Sequence, residues 1–406
     1  GNDGLISEIK VPTESTDLFG SVLKGLDAVI EGIDLKEIQR VVLSTTLTTN
    51  AIVQNKIPPV GMIVSGGPGM DPELFRTNQQ YYTVAGSIDH RGREIQPINT
   101  QEIKEIGNRL KGEGIRFAGV VTKFSIRNSK HEFEIREILK DFVEKVFLGH
   151  RISGSLNFPR RIATTYLNTA VYPIHKEFYA AVEKSLETRG LLLPIRILKA
   201  DGGNMKFEAS VEYPGQTILS GPAASVMGSI AFAGENRDSL VMDIGGTTTD
   251  MAVLIDRVPM LDPLGIQLAG YRTLIRSLDT QSVGLGGDSE VKIQNGILVV
   301  GPERRGPALA YGGPAPTPTD ALFVLGEIED GNREKSIGGL KPIADAMGLS
   351  LEDAASNIFD HTCRRILEEA QAMIRRINSK PVYTVHELHE GYRVRPSEIL
   401  VLGGPA

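Results

Sequence analysis

The densest run of chemically useful side chains in this sequence is Asp243-Ile244-Gly245-Gly246-Thr247-Thr248-Thr249-Asp250. Two carboxylates frame two glycines and three consecutive hydroxyls. The flanking residues, 240–244 and 249–255, are apolar apart from Asp243, Thr249 and Asp250, and read as strands. Gly245 and Gly246 therefore belong at the tip of a tight hairpin, where glycine accepts positive φ without steric cost. Such a tip exposes several backbone N–H groups in one concavity, which suits a phosphate. The hydroxyls of Thr247, Thr248 and Thr249 add donors. Asp243 and Asp250 are the catalytic candidates, with Asp243 also the metal ligand, because magnesium prefers carboxylate, water and substrate phosphate together. A plain surface hairpin needs only the two glycines; three threonines between two aspartates exceed that need. No Gly-Lys-Ser/Thr follows, so this is not a Walker loop, and no Gly-x-Gly-x-x-Gly opens a helix after a strand.

Four further segments carry polar groups where ligands bind. Thr45, Thr46, Thr48, Thr49 and Asn50 open a helix. Capping that helix is worth about 1 kcal/mol and needs one such residue, so Thr45, Thr46, Thr49 and Asn50 are also candidate substrate contacts at a helix N-terminus. Asp201, Gly202 and Gly203 follow the strand 195–198 and are assigned to substrate. Gly286 and Gly287 follow another strand, and Gly403 and Gly404 follow 398–402; both pairs are assigned to the cofactor. Strand ends in α/β sheets are where ligands collect, which favours a binding role for Gly202-Gly203 and Gly286-Gly287 over plain turns. Asp320 reads as a helix cap. His386-Glu387-Leu388-His389-Glu390 places its second histidine one residue short of the His-Glu-x-x-His spacing, and reads as a solvated helix end.

Positioning these segments requires alternating strands and helices. Helices are expected at 17–30, 45–54, 100–112, 131–146 and 161–190, the last broken at Pro173, and again within 341–377. Strands are expected at 41–43, 61–64, 119–121, 195–198 and 398–402. This alternation predicts an α/β fold with mixed, largely parallel sheets. Two regions are expected, 1–176 and 177–406, the second carrying the phosphate turn.

Bulk properties exclude some partners. A net charge of −6 with no Lys/Arg-rich block argues against nucleic acid. No apolar run reaches the roughly 18–20 residues that cross a bilayer. The single cysteine, Cys363, cannot form an internal disulfide and is expected to be a small buried helix residue. A reducing, cytoplasmic setting fits. The ends, Gly1–Ser7 and Gly403–Ala406, read as cut rather than natural.

Asp243–Asp250 resembles the phosphate motif of the actin/Hsp70/sugar-kinase superfamily, which closes two such hairpins, one per lobe, on ATP. Gly403-Gly404 resembles the start of its adenosine motif. The first hairpin of the pair is expected before Gly1. Other segments resemble hydantoinase/oxoprolinase signatures in that family's order: Ser44–Ala51, Asn128–Glu132, Asp201–Met205, Ser220–Ala223, Val283–Ser289 and Pro316–Ala321. Ser44, Ser129 and Asp288 depart from the family residues. The resemblance implies a two-lobed actin-like ATPase (ribonuclease-H-like) architecture. It implies ATP and Mg2+ as cofactors and ATP-dependent opening of a cyclic amide of the 5-oxoproline or hydantoin type. It further implies a hydantoinase B-like partner subunit and an oligomer. An ATP-dependent ketone carboxylase subunit and a non-catalytic nucleotide-binding partner module are the alternatives.

Overall fold

The computed structural model describes residues 6–9, 11, 18–188, 194–262, 264–379 and 393–404. The His386–Glu390 cluster lies outside them. Contacts divide the chain into two compact units, Gly1–Ala224 with Asp262–Ser277, and Ser225–Leu261 with Leu278–Ala406. The boundary expected at 176/177 falls inside a continuous helix, Phe158–Thr188.

The first unit is built on a four-stranded sheet in the spatial order Tyr81–Thr83, Gly61–Ser65, Phe117–Thr122, Lys145–Leu148. Every neighbouring pair is parallel. The two central strands are buried along their whole length. That is why they read as unbroken apolar runs rather than alternating ones. Helices Thr100–Gly112 and Lys130–Leu139 supply Ile103, Leu110, Ile135 and Leu139 to a core that includes Ile63 and Val120. Met62, Val64 and Val121 pack with Ile162 and Leu167 of Phe158–Thr188. A smaller sheet pairs Val41–Leu43 in parallel with Ile195–Leu198, which pairs antiparallel with Asn204–Lys206.

The structure corrects two helix expectations. The helix beginning near His131 ends at Leu139, and Lys145–Leu148 is a strand paired with Phe117–Val120. Sheet pairing there outweighs the helical spacing of Val143 and Val146. The long helix runs through Pro173. Proline costs that helix one backbone hydrogen bond, but Ala170, Val171, Tyr172 and His175 are all buried around it, so packing holds the element together.

In the second unit Asp238–Ile244 and Thr249–Ile255 form an antiparallel hairpin. Glu398–Leu402 lies parallel to the first strand. Thr280–Val283 and Val258–Pro259 pair with the second. Leu240, Met242, Met251, Val253 and Ile255 share one core with residues of helices Pro318–Leu325, Arg333–Met347 and Leu351–Ser379. Period-two alternation then puts Asp243 and Asp250 on the opposite face. The chain is thus α/β, with a parallel sheet in one unit and a mixed sheet in the other.

Candidate functional site

The hairpin tip is the site's centre. Asp243 and Asp250 are direct register partners, and Ile244 pairs with Thr249. Gly245 N–H donates to Thr248 O at 2.9 Å, closing the turn. Neither Gly245 nor Gly246 has a positive φ. This corrects the reason expected for those glycines: neither takes left-handed backbone, and the tip is crowded instead by the approach of other segments. Gly287 N–H donates to Gly245 O at 3.0 Å and Asp288 N–H to Gly246 O at 2.8 Å. A Cβ on Gly286 would stand 2.3 Å from Gly245 O, and one on Gly246 would stand 2.3 Å from Asp288 Oδ2. Gly403 does have a positive φ of 105°, and a Cβ there would stand 2.0 Å from Ile244 O. Two glycine segments far from it in the chain, at Gly286-Gly287 and at Gly403, therefore converge on Asp243–Gly246.

Their convergence leaves donors free. The N–H groups of Gly246, Thr247 and Thr248 make no hydrogen bond among the described residues. Thr247 is exposed and Thr248 half-buried. Adjacent free N–H groups at a turn form an anion-binding concavity. Thr249 does not contribute its hydroxyl: it is buried and donates to Leu285 O at 2.7 Å. Thr249 thus fastens the turn to the next glycine segment, correcting its expected role as a phosphate donor.

Ser225, which sequence reasoning missed, donates to Asp243 Oδ2 at 2.5 Å. Asp250 is partly buried, and loss of water pushes its carboxyl pKa up; a hydrogen bond from Ser282 opposes this, and the Asp243 charge adds to it. These two neighbouring carboxylates, in partly desolvated surroundings, have no salt-bridge partner among the described residues. That donor set fits a hard divalent cation such as magnesium, with Asp243 as ligand. A second missed group is Arg304, whose guanidinium pairs with Asp288 at 2.7 Å beside the tip. Asp288 stands where the family signature has glycine, and only the fold reveals that a cation answers it.

Next to Ile244, Gly286 and Gly287 opens a cavity of about 810 Å³, walled by Leu322, Phe359 and Ile366. That volume is within the usual range for small-molecule pockets. Cys363 also lines it. Its residue is exposed, correcting the expected buried position. Partial burial of the thiol and the Asp360 carboxylate both raise its pKa, which opposes a nucleophilic role. Asp320 is part of a cap, as expected, but at the third helical position, with Thr317 as the N-cap of Pro318–Leu325. It also accepts from Leu309 and Ala310 N–H and Ser336 Oγ.

The remaining candidates belong to the first unit. Helix Leu47–Val53 begins two residues later than expected. Thr45 Oγ1 accepts from Leu47 N–H, and Asn50 Nδ2 donates to Thr46 Oγ1. Thr49 Oγ1 accepts from Leu219 N–H at 2.8 Å, Thr48 pairs with Thr217, and Ser220 Oγ donates to Thr45 O. The threonine-rich start and the segment before Ser220–Ala223 thus hold each other. Much of that hydroxyl chemistry is structural. Asp201 Oδ1 accepts from Gly203 N–H at 3.0 Å, while Oδ2 pairs with Lys199 Nζ at 3.0 Å. Gly202 takes the positive φ that this turn needs. Asp201 and Lys199 line a cavity of about 240 Å³.

His131, without a visible partner in the sequence, pairs with Glu94 at 2.7 Å. With Glu134 these make the one group of three or more histidine, cysteine or carboxylate side chains close enough to share a metal among the described residues. Lys130 pairs with both carboxylates, however, at 2.8 and 3.7 Å. Glu132 is buried and bound by Thr122 N–H and by His150.

A hairpin with free tip N–H groups, paired aspartates and an adjoining pocket on an α/β scaffold has the donors and the space that an anionic ligand needs. Residues 161–406 match the hydantoinase/oxoprolinase family model and residues 1–143 match that of its N-terminal region. The chain belongs to the hydantoinase/oxoprolinase family. It is 22% identical over 403 residues to the caprolactamase subunit alpha of Pseudomonas jessenii, covering 88% of this chain and 58% of that one. It is 26% identical over 245 residues to 5-oxoprolinase 1 of Arabidopsis thaliana, covering 58% and 19%. A nucleotide-free acetone carboxylase structure shares the fold with a TM-score of 0.72 at 22% identity, covering 91% of this chain and 59% of that one. The chain thus spans little more than half of the caprolactamase subunit and about a fifth of the oxoprolinase. Among the described residues no helix is long and apolar enough to cross a membrane.

Proposed function

We propose that this chain is the nucleotide-handling part of an ATP-dependent cyclic amidase. The observation that carries the reading is the cluster of free N–H groups at Gly246, Thr247 and Thr248, directly beyond the paired Asp243 and Asp250. The tip holds β- and γ-phosphates. Gly286, Gly287 and Gly403 keep it in shape and leave the pocket beside Ile244 for the nucleoside. A magnesium ion at Asp243 would neutralise phosphate charge. Asp250, its register partner, supports the phosphates from the other strand.

A ring amide resists water because resonance strengthens its C–N bond. Transfer of the γ-phosphoryl group to the amide oxygen breaks the bond to ADP and leaves an electrophilic ring carbon. Water adds its hydroxyl to that carbon, and the ring nitrogen leaves with the proton. A second water releases phosphate. The sum is ATP, cyclic amide and two waters giving ADP, phosphate and the amino acid. The protein's part is positioning and charge stabilisation. The names of the caprolactamase and oxoprolinase relatives support cyclic-amide chemistry, and the subunit title of the first supports a partner subunit, which we read as hydantoinase B-like.

The test is phosphate release by the chain with its partner subunit, with and without 5-oxoproline or N-methylhydantoin. Asp243→Asn should abolish release while the melting temperature holds. Unchanged release would sink the assignment. Release that requires acetone and bicarbonate instead of a ring amide would select the carboxylase reading, which the name of an acetone carboxylase beta subunit among the relatives supports. ATP binding without any release would select the non-catalytic module.

A further inference from the structure

The cavity of about 240 Å³ in the first unit has an unbalanced set of polar groups. Lys199, Asp201, Tyr213, Gln216 and Arg276 line it, with Ile275 among its apolar walls. Lys199 and Asp201 pair with each other at 3.0 Å. Arg276 is exposed and has no carboxylate partner among the described residues. The site therefore carries two cations against one carboxylate. The other polar walls are already engaged: Asn168 Oδ1 accepts from Gly215 N–H, and Thr164 Oγ1 donates to Arg160 O and accepts from Leu274 N–H. By contrast, the Tyr213 hydroxyl, the Gln216 amide and the Arg276 guanidinium make no hydrogen bond among the described residues. Tyr213 and Gln216 are half-buried. Leaving half-buried donors unpaired is unfavourable unless water or a ligand meets them.

We propose that this cavity is a carboxylate-binding site, with Arg276 as its specificity-determining residue. A planar guanidinium matches a carboxylate in a two-point fork. Gln216 and Tyr213 would bind the ligand's other oxygen atoms. Lys199 adds positive potential, while its bond to Asp201 fixes its position. The volume lies below the range of about 300–1,000 Å³ typical of larger organic ligands, so the ligand is a small carboxylate and not a nucleotide. This rests on reading Asp201–Gly203 as part of a small-molecule site.

Three probes test it on the 406-residue chain by calorimetric titration: 5-oxoproline, neutral 2-pyrrolidinone, and the open-chain amide N-acetylglycine. The expected result is that 5-oxoproline binds at least tenfold more tightly than 2-pyrrolidinone. Arg276→Gln should bring that ratio close to one at an unchanged melting temperature, and Arg276→Lys should restore part of it. Equal binding of the two rings, or a preference that survives Arg276→Gln, overturns the carboxylate site while leaving cyclic-amide chemistry standing. If N-acetylglycine binds through Arg276 and neither ring does, the carboxylate site stands and the ring-amide reading falls. No binding of either carboxylate overturns the proposal.

Discussion

Ser225 Oγ donates a 2.5 Å hydrogen bond to Asp243 Oδ2, fixing one carboxylate oxygen of the residue that heads the hairpin tip. Its removal should free the carboxylate to rotate. A hydrogen bond to a charged group is worth about 1.5–3 kcal/mol, so Ser225→Ala should slow ATP-dependent phosphate release by about ten- to a hundred-fold. Ser225→Thr, which keeps the hydroxyl, should retain most of it. Equal rates for Ser225→Ala and the unaltered protein would show that Asp243 needs no such restraint.

Asp250 has a folded-state pKa above its ordinary value of 3.8, chiefly because it is partly buried. A raised carboxyl pKa means that the folded state favours the neutral acid. Its contribution is fully present below the ordinary pKa and is lost as pH rises through the folded value. Asp250→Asn removes the penalty and can keep the bond with Ser282. The variant should therefore melt higher than the unaltered protein at pH 7, with the gap closing as pH falls toward 3.8. Melting curves at several pH values check this; a gap that stays constant with pH refutes it.

Gly286 and Gly246 should differ in their tolerance of a side chain. A Cβ on Gly286 meets the Gly245 and Gly246 backbone, whereas one on Gly246 meets the movable Asp288 carboxylate. Gly286→Ala should cost about 1–3 kcal/mol of stability, the range for overpacking, and abolish ATP binding. Gly246→Ala should cost less. Urea unfolding and nucleotide titration of both variants would decide, and the reverse order would contradict the observed approach.

His175 is buried, with its ring nitrogen 2.8 Å from Ser210 Oγ. Burial lowers its pKa from 6.5 to about 4. A depressed histidine pKa lets the unfolded chain take up a proton that the folded one refuses. Stability from this group is complete above pH 6.5 and declines as pH falls toward about 4. His175→Gln should flatten that acid-side decline. The melting temperature of both proteins from pH 7 to pH 4 is the measurement, and parallel slopes would rule out His175 as its source.

The sequence by itself determined the local elements and one chemical motif. The strands on either side of Gly245-Gly246, the two glycines themselves and the apolar runs at 61–64 and 119–121 follow from period and composition. They are nearest-neighbour properties, and the backbone obeys them. Only the tertiary structure decided why the glycines are needed, because Gly286 and Gly403 meet the tip from dozens or more residues away. It likewise turned Thr249 inward to Leu285 and brought Ser225 to Asp243. It paired Arg304 with Asp288 and placed Arg276 beside Lys199 and Asp201. Each of these contacts joins segments whose separation no periodicity encodes. Short-range order fixes which groups a strand or turn can present, and packing fixes which of them meet.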